Sequence, residues 1–393
     1  MGNNPFKNYS ISPTPLVLPF PSPPFSIFSS SPSSSLFLFK KKTLSNLPLN
    51  SQLSYLLFLR REPQTLAKFK HPSILSIIEP IYENEKILAY ITEKVIGVGL
   101  GAAVGFGFGN QAGVEGRVGI ELCCRLVEVI EGLAFLKEGV GMVHLDLCPE
   151  NIYVGEKGGW KFGGLGFLSA AKNERKLGFE WSFHEGMRIA PNQEFCAPEV
   201  LKDKAHENSD IYSFGKIIMK VLEDLAPIAC KDDKEIEDRK ILRELAEKMI
   251  VVDPDKRMNL EQLKKCEIFF GELINSVRKL DNLELLDQNE TKLCLEIIHK
   301  NYQKLDLHII QNKILKIIYE LIPNEKLGFY ALLLAFKILE GPLREQVSEK
   351  LVHLIINLSS SMNLLRNNYN EKKKIINIYS YFFDFFFRFL ISF

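Results

Sequence analysis

The sequence lacks three features that would each indicate a class of function. Its net charge is only +1, so the chain as a whole gives no electrostatic case for nucleic acid or an acidic membrane surface. Its seven cysteines are odd in number and contain no C-x-x-C pair, which favours free thiols in a reducing, cytoplasmic location. Its seven histidines show no metal-ligand spacing. These residues therefore predict neither a disulfide framework nor a metal centre.

The amino-terminal segment lacks acidic side chains. Residues 1–39 contain no Asp or Glu and a single basic residue, Lys7, and residues 1–35 hold eight of the nineteen prolines. An organelle transit peptide is also acidic-poor and Ser-rich, but it needs arginine, which is missing here. Proline cannot donate to a sheet ladder, so this stretch is expected to form no central hairpin. We predict that residues 1–35 are a Pro/Ser-rich disordered leader.

No glycine lies between Gly2 and Gly97. A phosphate-cradling loop of the pattern G-x-G-x-x-G is therefore missing ahead of the first predicted strands. Nine of the twenty-five glycines instead fall in residues 97–119. This run nearly reproduces the pattern but opens no βαβ unit, so a dinucleotide fingerprint fails its structural context. A flexible linker is the favoured interpretation.

Short motifs are what the sequence does contain, between residues 144 and 257. They are, in order, HLDLCPEN at 144–151, WKF at 160–162, GLG at 164–166, APE at 197–199, SDIYSFG at 209–215 and DPDKR at 253–257. Their order and spacing match the protein-kinase signature set. The chain therefore resembles the protein-kinase superfamily over roughly residues 36–268.

Within that superfamily the chain is most similar to the Scy-like pseudokinases. The runs that carry this likeness are LRRE at 59–62, HP at 71–72, EP at 79–80, LCPENI at 147–152, GWK at 159–161 and GGLGF at 163–167. The resemblance implies a scaffold in membrane traffic, at Golgi or endosomal coats, with little or no kinase activity. It also implies a HEAT-repeat solenoid after the kinase-like domain.

The predicted fold class is α+β, a bilobal protein-kinase-like fold with a degenerate N-lobe, followed by an α-helical, HEAT-like segment. The boundaries are 36–96 for the N-lobe, 97–119 for the linker, 120–268 for the C-lobe and 269–393 for the truncated helical part. The first two N-lobe strands cannot be found in the sequence. Periodicity predicts helices at 51–70 and 120–137 and strands at 36–39, 74–81 and 86–92. Pro63 is expected to kink or shorten the first helix.

The catalytic residues of this fold class are only partly present. Asp146 is the candidate base for a substrate hydroxyl, and Asn151 lies at the spacing that reaches a second Mg²⁺. Gly164 stands where a kinase has the Asp that holds Mg²⁺ between the nucleotide phosphates, and glycine offers no ligand atom. Leu145 and Cys148 replace basic residues of the same loop. Given these losses, the favoured interpretation is that Asp146 and Asn151 persist as loop-forming residues.

Nucleotide-binding residues are weaker candidates. Lys40 can be aligned with the lysine that anchors ATP, and Glu62 would be its partner carboxylate on the following helix. Pro63 beside Glu62 weakens that pairing. The backbone of Glu93 to Val95 could receive adenine at the hinge, since that recognition needs no particular side chain.

Four residues are expected to support the fold whether or not the domain is active. Glu199 should form a buried ion pair with Arg257 at the end of the activation segment. Asp210 should accept backbone N–H bonds near His144 and Leu145 and so stabilise the catalytic loop.

The leading functional prediction is a catalytically impaired scaffold, cytoplasmic and at most peripheral on Golgi or endosomal membranes. Its partners would be coat or adaptor proteins bound through the kinase-like domain and the helical tail, with no nucleic acid. One alternative is a divergent Ser/Thr protein kinase that uses Asp146 and Asn151 with a single Mg²⁺. Another is ATP binding without transfer, with the nucleotide as a structural ligand.

Overall fold

The computed structural model describes residues 5–16, 25–31, 33–98, 119–171, 182–184, 187–226, 230, 233–305, 307–322, 324 and 326–340. Most of the predicted glycine linker at 97–119 lies outside these residues, as does the carboxy-terminal run 378–393, which contains nine aromatic residues. The chain forms two compact units, Met1–Asn275 and Ser276–Phe393. The sequence prediction places the corresponding boundary at 268.

The first unit begins with a five-stranded antiparallel sheet in the order β1-β2-β3-β5-β4. The strands are β1 (Ser10–Ile11), β2 (Ser26–Ser31), β3 (Ser34–Lys40), β4 (Ile77–Glu83) and β5 (Ile87–Glu93).

The prediction that residues 1–35 form no central hairpin is wrong. Strand β2 lies between β1 and β3 and pairs with β3 from Ser26↔Leu38 to Ser30↔Ser34. The physical reason is that the prolines at 24 and 32 flank β2 in sequence, so none of them removes a donor from its ladder. The two N-lobe strands that the sequence does not reveal are therefore β1 and β2.

Helix α1 (Leu49–Leu66) packs on this sheet. Its inner face buries Tyr55, Leu59 and Leu66. The predicted shortening at Pro63 does not occur, because the helix continues for three residues beyond it and Pro63 is itself buried. Its carbonyl accepts from the N–H of Ala67 at 3.1 Å, so the last turn is hydrogen-bonded through the proline.

The rest of the first unit combines short strand pairs with helices. Three strands form a second sheet in the order β6-β8-β9: β6 (Val95–Val98), β8 (Ile152–Gly155) and β9 (Trp160–Phe162). Two further pairs join β7 (Met142–Val143) to β10 (Ser169–Ala170) and β11 (Ser182–His184) to β12 (Met187–Ile189). The helices are α2 (Ile120–Ala134), α3 (Ser209–Leu225), α4 (Asp233–Met249), α5 (Leu260–Leu263) and α6 (Glu267–Phe270).

Every element that the structure describes from residue 267 to residue 340 is helical. The helices are α7 (Glu272–Lys279), α8 (Gln288–Lys300), α9 (Leu307–Ile309), α10 (Leu315–Leu321) and α11 (Gly328–Glu340). Helix α8 begins with a reciprocal capping box between Asp287 and Glu290, which satisfies two of its free backbone donors. The predicted α+β class with a helical segment after it is confirmed. None of the described helices is long and apolar enough to cross a membrane.

Candidate functional site

The candidate site is built around the loop that follows β7. Leu145 adopts a positive φ of 67°, which an L-residue holds only when its surroundings impose it. The buried Asp210 imposes it, because its two carboxylate oxygens accept from the N–H groups of His144 at 2.6 Å and Leu145 at 2.8 Å. Burial raises the pKa of Asp210, although the nearby His144 opposes that shift. The loop thus rests on one carboxylate from α3.

Asp146 and Asn151 lie together, and each is engaged by the protein. The Asn151 side-chain amide donates to the Asp146 carboxylate at 3.0 Å and to the Asp146 carbonyl at 2.8 Å. The other Asp146 carboxylate oxygen accepts from the N–H of Asn192 at 2.6 Å. A base must reach a substrate hydroxyl, whereas this carboxylate makes hydrogen bonds to its own chain on both oxygens.

Gly164 adopts a left-handed conformation, with φ 71° and ψ 26°. A Cβ atom added there would lie 2.2 Å from Cγ of Asn151, so the asparagine side chain fills the space next to the glycine. The N–H of Gly164 donates to the Glu62 carboxylate at 2.8 Å. Within the described part of the chain, no group of three or more His, Cys, Asp or Glu side chains could hold a metal.

The thiol of Cys148 is buried in the same loop. Burial, followed by the charges of Asp146 and Glu150, raises its pKa well above the ordinary value. The thiol therefore stays protonated, and it supplies neither the positive charge of the lysine it replaces nor a reactive thiolate.

The structure does not bring Lys40 and Glu62 together. Phe37 and Phe39 are buried on the inner face of β3, so the alternation of the strand turns Lys40 to the opposite face, where it is exposed. Glu62 instead bonds Gly164, and its pKa is raised, chiefly by burial. The predicted pairing of Lys40 with Glu62 is therefore wrong, because it places the lysine one position off the inward-facing register.

Four buried aromatic rings pack against one another, three from the five-stranded sheet and its border and one from β8. We call Phe25, Phe37, Tyr90 and Tyr153 the cleft aromatics; each is at most 2% exposed. Phe37 stacks on Tyr90 with ring centroids 4.9 Å apart and meets the edge of Tyr153 at 5.6 Å. Phe25 meets Tyr90 edge to face at 5.1 Å. Such contacts stabilise the fold beyond the area they bury.

The Tyr90 hydroxyl is buried beside the Glu62 carboxylate without reaching full hydrogen-bond geometry. Burial and that neighbouring carboxylate raise the pKa of Tyr90 well above its ordinary value, so the hydroxyl is neutral. Phe37, on the facing strand, lies directly opposite Tyr90 in the ladder. Tyr90 is the neighbour of Glu62, so the β3 residue closest to this carboxylate's neighbour is the aromatic Phe37.

The hinge, residues 93–95, already has internal hydrogen-bond partners. The N–H of Val95 donates to the Ser35 hydroxyl at 2.9 Å. Glu93 accepts from the N–H of Ser76 at 2.8 Å and forms an ion pair with Lys161 at 3.0 Å. Val98 pairs with Tyr153 in the β6–β8 ladder, so the strand after the hinge lies directly against β8.

The structure brings Glu199 and Arg257 together as a bidentate ion pair, at 2.8 and 3.1 Å. The Arg257 side chain is fully buried and also donates to three backbone carbonyls, of Asn208, Val251 and Val252. Burial acts to raise the pKa of Glu199, but the hydrogen bonds that its carboxylate accepts and the positive charge of Arg257 lower it overall. The pair joins the APE motif to the last motif of the domain.

Sequence reasoning missed the cleft aromatics and Ser35. A usable signal was present for Phe37 and Phe39, because two large apolar residues at alternating positions of a strand occupy one face. Phe25 and Ser35 gave no local signal, because their positions became meaningful only once β2 and β3 were known to pair.

Comparison with known proteins places these observations in a family. Residues 42–305 match the family described as "Protein kinase domain". The chain is 25% identical over 284 residues to the protein kinase domain-containing protein ppk32 of Schizosaccharomyces pombe, covering 63% of this chain and 38% of that protein.

Two further relatives carry the SCY1 name. Human SCY1-like protein 2 is 30% identical over 209 residues, covering 49% of this chain and 22% of that protein. The protein kinase-like protein SCY1 of Saccharomyces cerevisiae is 27% identical over 242 residues, covering 54% and 30%. The matched regions thus span between 22% and 38% of the length of these three relatives.

Proposed function

The chain belongs to the protein kinase family and is SCY1-like within it, and from that premise we propose that it is a non-catalytic scaffold. Protein kinase domains in general bind ATP with Mg²⁺. The observation that carries the proposal is the contact of Phe37 with Tyr90 and with Tyr153. We infer that the cleft aromatics occupy the space where such a domain would hold a nucleotide.

The residues present do not fit an ATP–Mg²⁺ complex. An inward-facing Phe37 stands where a cation is needed against the phosphates, and Gly164 has no oxygen for the metal. The Val95 N–H, which would donate to adenine, is already bonded to Ser35. These features support a domain that keeps its shape and uses its surfaces for binding.

The proposed setting is vesicle and membrane trafficking, with coat or adaptor proteins as partners of the kinase-like domain and the helical tail. This part of the proposal follows from the resemblance to the Scy-like pseudokinases. Retention of Asp146 and Asn151 favours the rival, a divergent Ser/Thr kinase, but their mutual hydrogen bonds explain their presence without catalysis.

Thermal unfolding of the full chain with and without ATP tests the nucleotide part of the proposal, in Mg²⁺ and in EDTA. A ligand at a hundred times its dissociation constant adds ~2.7 kcal/mol, which raises Tm by several degrees. We expect no shift in either buffer. A shift that requires Mg²⁺ would favour the kinase, and one that survives EDTA would favour ATP as a structural ligand.

Phosphate transfer to a generic substrate gives the second readout. Wild type and Asp146→Ala should give the same background signal. Transfer by wild type that Asp146→Ala abolishes would overturn the non-catalytic proposal.

A further inference from the structure

Helix α1 carries an apolar stripe on the face that points away from its own sheet. Leu49, Leu53 and Leu57 recur every four residues and are 69%, 52% and 60% exposed. The opposite face buries Tyr55 and Leu59 in the domain. A helix that is apolar on two faces is normally covered on both sides. The domain covers only one of them.

The same part of the chain carries a concentration of positive charge. Residues 40–70 contain seven basic residues and one acidic residue, a local balance of 7 − 1 = +6 in a chain whose net charge is +1. The one acidic residue is Glu62, whose carboxylate is bonded to Gly164. Five of the basic residues are exposed: Lys40, Lys42, Arg61, Lys68 and Lys70. The other two, Lys41 and Arg60, share Glu83.

These charges lie at both ends of the leucine stripe. Lys40 and Lys42 precede the first turn of α1, and Arg61, Lys68 and Lys70 follow the last leucine. A convex helix with leucines in the middle and cations at either end matches a flat anionic surface better than a peptide. Interfacial helices combine these two elements, apolar side chains at the acyl boundary and Lys/Arg at the headgroups.

We propose that the outer face of α1 is a docking surface for anionic membranes. The leucines enter the boundary between headgroups and acyl chains, and the flanking cations contact anionic headgroups. This inference rests on the proposed role in membrane traffic and names the surface that the domain would use. The whole-chain charge hides this surface, because acidic residues elsewhere balance the basic segment.

Co-sedimentation of the full chain with lipid vesicles tests the proposal. We expect binding to vesicles of phosphatidylcholine mixed with phosphatidylserine, and little binding to phosphatidylcholine alone. Removing one flanking cation, as in Lys42→Ser, should weaken binding about fivefold. The double variant Leu53→Ser/Leu57→Ser should weaken it about tenfold. Added salt should weaken wild-type binding.

The control is a double variant at exposed leucines outside the basic segment, Leu285→Ser/Leu293→Ser, which are 77% and 57% exposed. It should bind vesicles like wild type, and thermal unfolding should show that all variants keep the wild-type Tm. The proposal is overturned if wild type does not bind the mixed vesicles or binds neutral vesicles equally well. It is also overturned if the α1 double variant binds like wild type, which would indicate attraction by charge alone.

Vesicle binding and nucleotide binding are separate readouts. A chain that binds both ATP and vesicles would contradict the proposal that the cleft aromatics occupy the nucleotide site, and it would support the α1 docking surface. A chain that binds neither ATP nor vesicles would contradict only the α1 docking surface.

Discussion

At the scale of single residues, position 164 requires glycine because of its backbone conformation and because of the side chain packed beside it. Its positive φ and the side chain of Asn151, 2.2 Å from where a Cβ would lie, both require glycine. The position offers no side-chain ligand atom, and the Asn151 side chain encloses it. Restoring aspartate alone would not restore a kinase site.

We expect Gly164→Asp to lower the free energy of unfolding by about 2–4 kcal/mol, from the left-handed backbone and the collision with Asn151. It should not create a response to Mg²⁺ and ATP. Urea unfolding measures the cost, with Gly158→Asp as the control. Gly158 has a similar φ of 82° but nothing within 4 Å of an added Cβ, so its cost should be about 1–2 kcal/mol. Equal losses of unfolding free energy for Gly164→Asp and Gly158→Asp would contradict a steric collision between the new side chain at 164 and Asn151.

The Glu199–Arg257 pair gives a second prediction at this scale. Arg257→Ala should destabilise the chain by about 3–5 kcal/mol, because it leaves a largely buried carboxylate without its cation. Lys256→Ala is the control, since Lys256 is 79% exposed and its pair with Asp253 should contribute less than about 1 kcal/mol. Chemical denaturation of both variants decides, and a small loss for Arg257→Ala would show that the pair does not anchor the segment.

At the scale of elements, helix α1 is held at two points by carboxylates. Glu83 on β4 accepts both hydrogen bonds of a bidentate Arg60 at 2.7 Å and also pairs with Lys41. Glu62 extends from the helix to the N–H of Gly164. The helix is thereby fixed to the sheet and to the GLG motif without the lysine that the sequence prediction assigns to Glu62.

The Glu83 contacts predict a particular acid sensitivity. The hydrogen bonds from Arg60 are the largest cause that lowers the pKa of Glu83, from 4.5 to about 2. The hydrogen bond and the positive charge of Lys41 lower it further, whereas burial opposes the shift. A lowered pKa contributes stability that is present above the unfolded value and is lost as pH falls from about 4.5 to 2. Between about pH 4.5 and 2, the free energy of unfolding of Glu83→Gln should therefore fall by about 1–3 kcal/mol less than that of wild type.

Denaturant midpoints at a series of pH values provide the measurement. Glu85→Gln, in the exposed turn after β4, is the matched control and should follow the wild-type curve. Parallel curves for wild type and Glu83→Gln would mean that the contact contributes nothing to acid unfolding.

The elements that sequence reasoning located well are those with long periodic patterns or short motifs. Helix α2 begins at the predicted residue 120, and β5 lies within one residue of its predicted range. The sequence prediction lacks the amino-terminal hairpin, because a count of prolines over a segment says nothing about the seven residues that separate two of them. The alignment of Lys40 with the ATP-anchoring lysine also gives β3 the wrong inward register, because it conflicts with the two-residue alternation that places Phe37 and Phe39 on the inner face.

At the scale of the whole molecule, the order of the N-lobe, the C-lobe and the helical segment along the chain could be predicted from the sequence. The packing of the cleft aromatics could not. Phe25, Phe37, Tyr90 and Tyr153 come from four separate strands or strand ends, and only the folded chain brings them together. The absence of a side-chain oxygen at Gly164 is visible in the sequence. The packing of these four rings against one another is visible only in three dimensions.

The filled cleft also constrains the evolution of such a chain. Under the proposed non-catalytic role, phosphate transfer would need a lysine in place of the inward ring on β3, room for the base and an aspartate at 164. Each change alone would remove packing or add a collision while giving no activity, so selection could not reward the first step. If the chain is the non-catalytic scaffold that we propose, no single mutation of this interior would make it an enzyme.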